Sequence, residues 1–206
     1  SDRVESFGLD EAWVDISQRN RTFKDAEHIA NEIRERVKYE LGITVSVGVS
    51  FNKVLAKLGS DMKKPDATTV IPRDGFREII GGLPVSDLLY VGPSTTRKLM
   101  DRCIRTIGDL ERADTDMIRL LLGKNGLILK AYAQGWDVSP VMPVDAEAAI
   151  KSIGNSTTPP HDIETLDDAR CLYFMLAESI SARLRENGFR AQVISISART
   201  TDLVSG

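Results

Sequence analysis

The 206-residue chain is short of the residues from which many functional sites are built. It holds two cysteines and two histidines. Cys103 and Cys171 lie far apart and fit no metal-ligand spacing, so they read as free thiols of a reducing compartment and exclude a disulfide framework. His28 and His161 are equally isolated, which argues against a histidine metal site and against a Ser-His-Asp arrangement. No apolar run approaches the roughly 20 residues of a membrane-spanning helix. The opening SDRVES carries no apolar stretch behind a basic start, the mark of a signal peptide. The expectation is a cytoplasmic protein with no membrane partner. Positive charge is not in excess either. With 27 Lys and Arg against 30 Asp and Glu the net charge is -3, so any nucleic-acid partner has to rest on local clustering.

What is present is ordinary globular material, 42% hydrophobic and 28% charged, in a length that suits one large domain or two to three small ones. The first residue is Ser1 and a strand pattern opens almost at once, so a piece of a longer protein is expected. In SFGLDEAWVDIS, residues 6–17, Phe7 and Leu9 alternate on one parity and Ala12, Val14 and Ile16 on the other. A regular strand alternates faces with a period of two, so a turn or bulge is expected at Asp10 and Glu11. Such a break lets two neighbouring carboxylates converge on one cation, although taken alone the pair reads more simply as a solvated hairpin turn.

A helix follows over 22–42. Thr22 caps it with Asp25, Ala26, Ile29, Ala30, Ile33 and Val37 form an apolar stripe, and Gly42 stops it. Residues 43–50 alternate as a strand, 51–64 form a helix ended by Pro65, and TTVI at 68–71 is a short strand. The order predicts an α+β layer of sheet covered by helices. From 72 to 135 strand signals nearly vanish and short helices alternate with Gly, Pro, Asp and Ser, as in FREIIGGL, VSDLL, PSTTRKLMDR, TIGDLERA, DTDMIRLLLG and NGLILKAYAQG. A proline-containing linker occupies 141–150. A strand over 151–159, a long helix capped by Thr165 and a strand over 190–201 form a third unit, too small for a complete sheet and expected to continue past Gly206.

Three features carry chemistry. Between Ser50 and Lys64 four lysines stand against Asp61 alone, and Lys53 and Lys57 share a helix face. A solvated face with lysines favoured at the helix end explains this too. LLYVGPSTTRKL at 88–99 has the form of a helix-hairpin-helix element, whose second helix start at Pro93, Ser94 and Thr95 offers free N–H groups to one DNA phosphate. Arg97, Lys98 and Arg102 follow it; an ordinary capped helical hairpin has the same form. The paired carboxylates are the third. Together the three fit nucleotidyl transfer, which needs divalent cations held by carboxylates, cations on a triphosphate and a grip on duplex backbone.

At these residues the chain resembles the Y-family (DinB/UmuC-type) translesion DNA polymerases. The resemblance is carried by Gly8-Leu9-Asp10-Glu11-Ala12-Trp13-Val14-Asp15-Ile16 and by TVSVGVSFNKVLAKLGSDMKKP at 44–65. It covers essentially the whole chain. It implies an α+β multidomain fold: part of a ferredoxin-like palm sheet over 1–73, an all-helical thumb with a helix-hairpin-helix over 74–140, a linker over 141–150 and the start of an α+β little finger over 151–206. The implied activity is template-directed DNA synthesis across damaged DNA, in repair and the SOS response, by two-metal nucleotidyl transfer in the bacterial cytoplasm at the nucleoid.

The resemblance also assigns roles. Asp10 would bridge two Mg²⁺ ions and Glu11 would hold the ion that activates the primer 3′-hydroxyl. Lys64 would contact the triphosphate of the incoming dNTP, with Lys53 and Lys57 near phosphates. Val91, Gly92, Ser94, Thr95 and Lys98 would grip the primer backbone, and Ser156, Thr157 and Arg199 would touch template phosphates. A sliding clamp would bind through a segment outside the chain. Gly8 stands where the family has Ser, Ala67 where a Gly is frequent, and Tyr90 where the thumb hairpin has its first Gly. The family's first metal-binding Asp and its fingers belong upstream of Ser1, so the 206 residues alone are expected to bind primer–template weakly and not to polymerise. Mg²⁺-dependent incorporation by them would overturn this. A non-catalytic DNA-binding relative is the competing reading, against which the retained pair of acids argues. An unrelated helix-hairpin-helix repair protein leaves 44–65 unexplained.

Overall fold

The computed structural model describes residues 1–17, 22–146 and 150–202. The chain divides into two compact units, Ser1–Ala146 and Glu147–Gly206, taken separately below. Among the described residues no helix is long and apolar enough to cross a membrane.

The first unit opens with a hairpin. Strand β1 (Val4–Phe7) pairs antiparallel with β2 (Glu11–Val14), Phe7 opposite Glu11 and Val4 opposite Val14. The parity break is the turn 8–10, where Gly8 takes φ +71°, a left-handed value that a side chain disfavours. The inward face differs from the expected one. Glu11 and Trp13 are half-buried while Ala12 and Val14 are exposed, because the large Trp13 ring packs on Phe7 with centroids 4.6 Å apart and donates Nε1–H to the Lys53 carbonyl at 3.0 Å.

Helix α1 (Phe23–Leu41) has the expected ends: Thr22 and Asp25 form a capping box and Gly42 closes the helix at φ 72°. The strand expected over 43–50 is shorter, β3 (Val47–Ser50). It pairs in parallel with β4 (Thr68–Ile71), Val47 opposite Thr68, so among the described residues no strand pairs with those before 47. Helix α2 (Lys53–Met62) makes the crossover that parallel strands require. It lies so close on β3 that a Cβ at Gly48 would stand 1.8 Å from the Ala56 carbonyl oxygen. The fold is α+β as expected, with its sheet in two separate two-stranded ladders among the described residues.

Downstream come α3 (Phe76–Ile80), a 3-10 turn at Val85–Asp87 in place of the expected VSDLL helix, α4 (Pro93–Met100), α5 (Ile107–Arg112) and α6 (Thr115–Ala133). The two expected helices at 114–135 run together as α6 with a break at Gly123, φ 65° and ψ -147°. One hydrophobic core joins Leu55, Leu58 and Ile71 to Ile80, Leu99, Ile107 and Ile118, so it spans the boundary expected near 73. Asn52 reinforces the junction: its carbonyl oxygen accepts the Leu55 N–H at α2's start, and its amide donates to the Gly135 carbonyl at 2.9 Å.

The linker expected from 141 is in part fixed to the hairpin. The Val144 N–H donates to the Asp2 carbonyl at 2.9 Å, the Met142 N–H to the Glu5 carboxylate at 2.9 Å, and Arg3 to the Val141 carbonyl at 3.2 Å. Residues 147–149 of that linker lie outside the described residues.

The second unit contains α7 (Leu166–Glu186), capped by Thr165 as expected. The strands expected over 151–159 and 190–201 form no ladder among the described residues. Each flank is tied to α7 instead. Asn155 donates to Ser179 Oγ at 3.1 Å, Arg183 to the Gly154 carbonyl at 2.9 Å, and Tyr173 Oη to the Ser197 carbonyl at 3.3 Å.

Candidate active site

The two acids singled out in the sequence have different surroundings. Asp10 closes the exposed hairpin turn, and its carboxylate has no hydrogen-bond or ion-pair partner among the described residues. Glu11 opens β2 and is half-buried; its Oε1 lies 2.9 Å from Lys57 Nζ.

Helix α2 supplies the cations. Lys53, Lys57 and Asp61 recur every four residues and so share one face. Lys53 Nζ lies 2.7 Å from Glu5 Oε1 and 4.5 Å from the centroid of the Trp13 ring. That hydrogen bond holds the Glu5 carboxyl below its ordinary range. Lys57 Nζ contacts Asp61 Oδ2 at 2.7 Å as well as Glu11, and Lys64 Nζ contacts Asp61 Oδ1 at 2.7 Å. Burial pulls the Lys57 ammonium down, but its bonds to Asp61 and Glu11 outweigh this and set it above the ordinary lysine value. Burial likewise pushes Asp61 up, and its bonds from Lys57 and Lys64 outweigh that and lower it.

Lys64 leads into a turn at Pro65 and Asp66, the position with no following Gly. Asp66 itself takes the left-handed conformation, φ 51°. Its carboxylate is held by Lys38 at 2.8 Å and Arg34 at 2.7 Å, both from α1, and so lies below the ordinary range.

The hairpin of the helical part meets α2. An open cleft of about 430 Å³ is lined by Lys57 and Asp61 on one side and by Tyr90, Val91 and Gly92 on the other. Val91 is buried and its N–H donates to the Leu88 carbonyl, so its side chain serves the core. Tyr90, in the place of the family's first Gly, carries φ 69°. Gly92 precedes α4, Ser94 is exposed and Thr95 half-exposed, and Arg97 and Lys98 are exposed with no ion pair among the described residues. Ser156, Thr157 and Arg199 are exposed residues of the second unit.

Sequence reasoning missed Asp61 as the hub of the lysines, although its spacing from Lys57 and Lys64, four and three residues, is that of helical ion pairs. Glu5 carried no local signal, since its lysine lies 48 positions away.

Among the described residues no group of three His, Cys, Asp or Glu gathers as a metal cluster. The unpartnered Asp10 carboxylate beside that of Glu11 is nevertheless a hard oxygen donor set. Such donors suit a hard divalent cation.

The first unit thus sets the acid pair at the turn of its β-hairpin, one of its members ion-paired to the lysine face of α2, next to a helical hairpin. Models of the impB/mucB/samB family match residues 1–61, and those of its C-terminal domain residues 150–205. The chain belongs to the impB/mucB/samB family, the Y-family polymerases that its motifs resemble. It is 53% identical over 203 residues to the DNA polymerase IV of Acetivibrio thermocellus, covering 98% of this chain and 51% of that one. With DNA polymerase IV 1 of Bacillus subtilis the identity is 36%, covering 98% and 48%. The chain thus spans about half the length of the curated relatives it matches. Among solved structures, DinB from Sulfolobus solfataricus is 27% identical with a TM-score of 0.63, covering 68% of this chain and 42% of that one. A Y-family DNA polymerase chimera, 23% identical, covers all of this chain and 58% of its own with a TM-score of 0.80, a likeness of fold.

Proposed function

We propose that the chain is the carboxylate-bearing part of a translesion DNA polymerase, an enzyme that extends a primer across damaged template by two-metal nucleotidyl transfer. The observation that carries this is the joining of Glu11, the sequence neighbour of Asp10, through Lys57 and Asp61 to a cleft edged by the helical hairpin. The names of its relatives support it. In this reading 1–73 acts as palm, 74–140 as thumb, 141–150 as linker and 151–206 as the start of the little finger. Primer–template DNA and a dNTP are the partners in the bacterial cytoplasm, and a sliding clamp binds through a segment outside the chain.

Asp10 and Glu11 would hold Mg²⁺, with Asp10 the open ligand. When bound, the two ions supply Lewis-acid stabilisation of the triphosphate and activation of the primer 3′-hydroxyl. Lys64, exposed beyond α2 and paired with Asp61, would neutralise triphosphate oxygens, with Lys57 near phosphates. Lys53 braces the hairpin through Glu5 and Trp13 and acts on phosphates indirectly. Gly92, Ser94 and Thr95 present the start of α4 to one primer phosphate, and Lys98 adds charge that reads no base. Ser156, Thr157 and Arg199 would touch template phosphates.

The experiment is primer extension over a damaged template by the full-length polymerase that contains this chain. Asp10→Ala is expected to abolish incorporation while sparing DNA binding, since it removes a ligand and little else. Near-wild-type turnover would end the assignment. In the same assay Lys64→Ala is expected to raise the KM for the nucleotide several-fold, and an unchanged KM contradicts its triphosphate role.

A further inference from the structure

Lys57 stands where its charge opposes the ion that Glu11 is read as holding. Its Nζ bonds Glu11 Oε1 at 2.9 Å and Asp61 Oδ2 at 2.7 Å, so one ammonium is shared by two carboxylates from different elements. The side chain is 16% exposed, against 33% for Glu11 and 40% for Asp61, which shields it from solvent screening. A divalent cation on Glu11 would meet a full positive charge already at hydrogen-bonding distance from that carboxylate. Repulsion favours withdrawal of the ammonium from Glu11, and Asp61 is the second carboxylate it already touches.

We propose that Lys57 is the resident counter-cation of Glu11, and that Asp61 is the seat to which its ammonium withdraws when a divalent cation binds at Asp10 and Glu11. The inference rests on the metal reading of those two acids. It adds an internal competitor to the site, held in reserve by a residue that is not itself a ligand. Asp61 is then a positioning residue that sets how readily the carboxylates accept metal. Its second oxygen, Oδ1, keeps Lys64 at 2.7 Å, so the two lysines are released or retained through one anchor.

The test is a Mn²⁺ titration of the 206-residue chain, read by electron paramagnetic resonance of the free ion, with no turnover involved. Lys57→Gln is expected to tighten Mn²⁺ binding several-fold and Asp61→Asn to weaken it several-fold. Lys57→Arg, which keeps the charge, should stay near wild type. In the double variant most of the loss from Asp61→Asn should vanish, since the ammonium it steers is gone. A purely structural role would loosen the site in both single variants and weaken both, so opposite signs separate competition from misfolding. Weakened or unchanged binding in Lys57→Gln overturns the proposal, as does an Asp61→Asn effect of equal size with and without Lys57. An Asp10→Ala control separates the two levels. Mn²⁺ binding that survives it removes the metal reading itself and the proposal with it. Asp10-dependent binding with the wrong response to Lys57→Gln removes the proposal alone.

Discussion

Two cation-bearing helices of the first unit look alike in sequence and differ in how their charges are paired. On α2 each of Lys53, Lys57 and the adjoining Lys64 is paired with a carboxylate, at 2.7–2.9 Å. On α4 Arg97 and Lys98 are exposed, in the last turn of the helix, with no ion pair among the described residues. A run of lysines therefore does not by itself describe a phosphate surface. The α2 cations are committed to internal acids and act on an anion only by exchanging partners. The α4 cations are free to meet one as it arrives. The first arrangement suits a site that must be assembled, and the second a grip that is always open.

The contrast can be broken most severely at Gly48. A Cβ there would overlap the Ala56 carbonyl, so Gly48→Ala should push α2 off β3, with overpacking that costs about 1–3 kcal/mol. Thermal denaturation should show a lower Tm. The Lys57 contact with Glu11 should loosen, while the DNA affinity proposed for α4 should change less. An unchanged Tm would show that α2 is free to shift.

Lys130 sharpens the other side. Its ammonium is buried and donates to the Glu111 and Ala113 carbonyls, at 2.7 and 2.5 Å, so it closes the C-terminal end of α5. Lys130→Met keeps the stem and leaves those carbonyls without their donor, at a cost of about 1–3 kcal/mol. Urea denaturation is expected to show that loss. Full stability would mean water replaces the ammonium.

A smaller effect follows from acid. Asp61 has its folded pKa held below the ordinary value of 3.8 by Lys57 and Lys64, against the opposing pull of burial. A depressed carboxylate contributes stability that is complete above its unfolded pKa and is lost as pH falls through the folded one. Stability should therefore decline below about pH 4, and Asp61→Asn should flatten part of that decline. An acid limb identical in the variant would mean that other carboxylates carry it. Glu5, Asp66 and Asp109 are lowered as well, so the flattening is partial.

Much of this was readable from local pattern, because local interactions set it. The cap of Thr22 and Asp25, the stop at Gly42 and the α2 helix all follow from residues three or four apart. What needed the fold was pairing between distant segments. Strand 43–50 shortened to four residues because its partner starts at Thr68, and the hairpin turned its other face inward for Trp13 and Lys53. The docking of 140–144 on the hairpin left no trace in a segment with two prolines and no period. At the site, Asp10 and Glu11 were legible as a pair. That Glu11 is already engaged by Lys57 was not, since 46 residues separate them.

The central claim is that α2 carries internal cations and α4 the DNA-facing ones. The salt dependence of DNA affinity tests it most directly, because each lysine that neutralises a phosphate contributes about one unit to the slope of log K against log salt. Fluorescence anisotropy with a primer–template duplex should give a slope smaller by about one for Lys98→Ala and an unchanged slope for Lys57→Ala. A reduced slope for Lys57→Ala with none for Lys98→Ala would contradict the account.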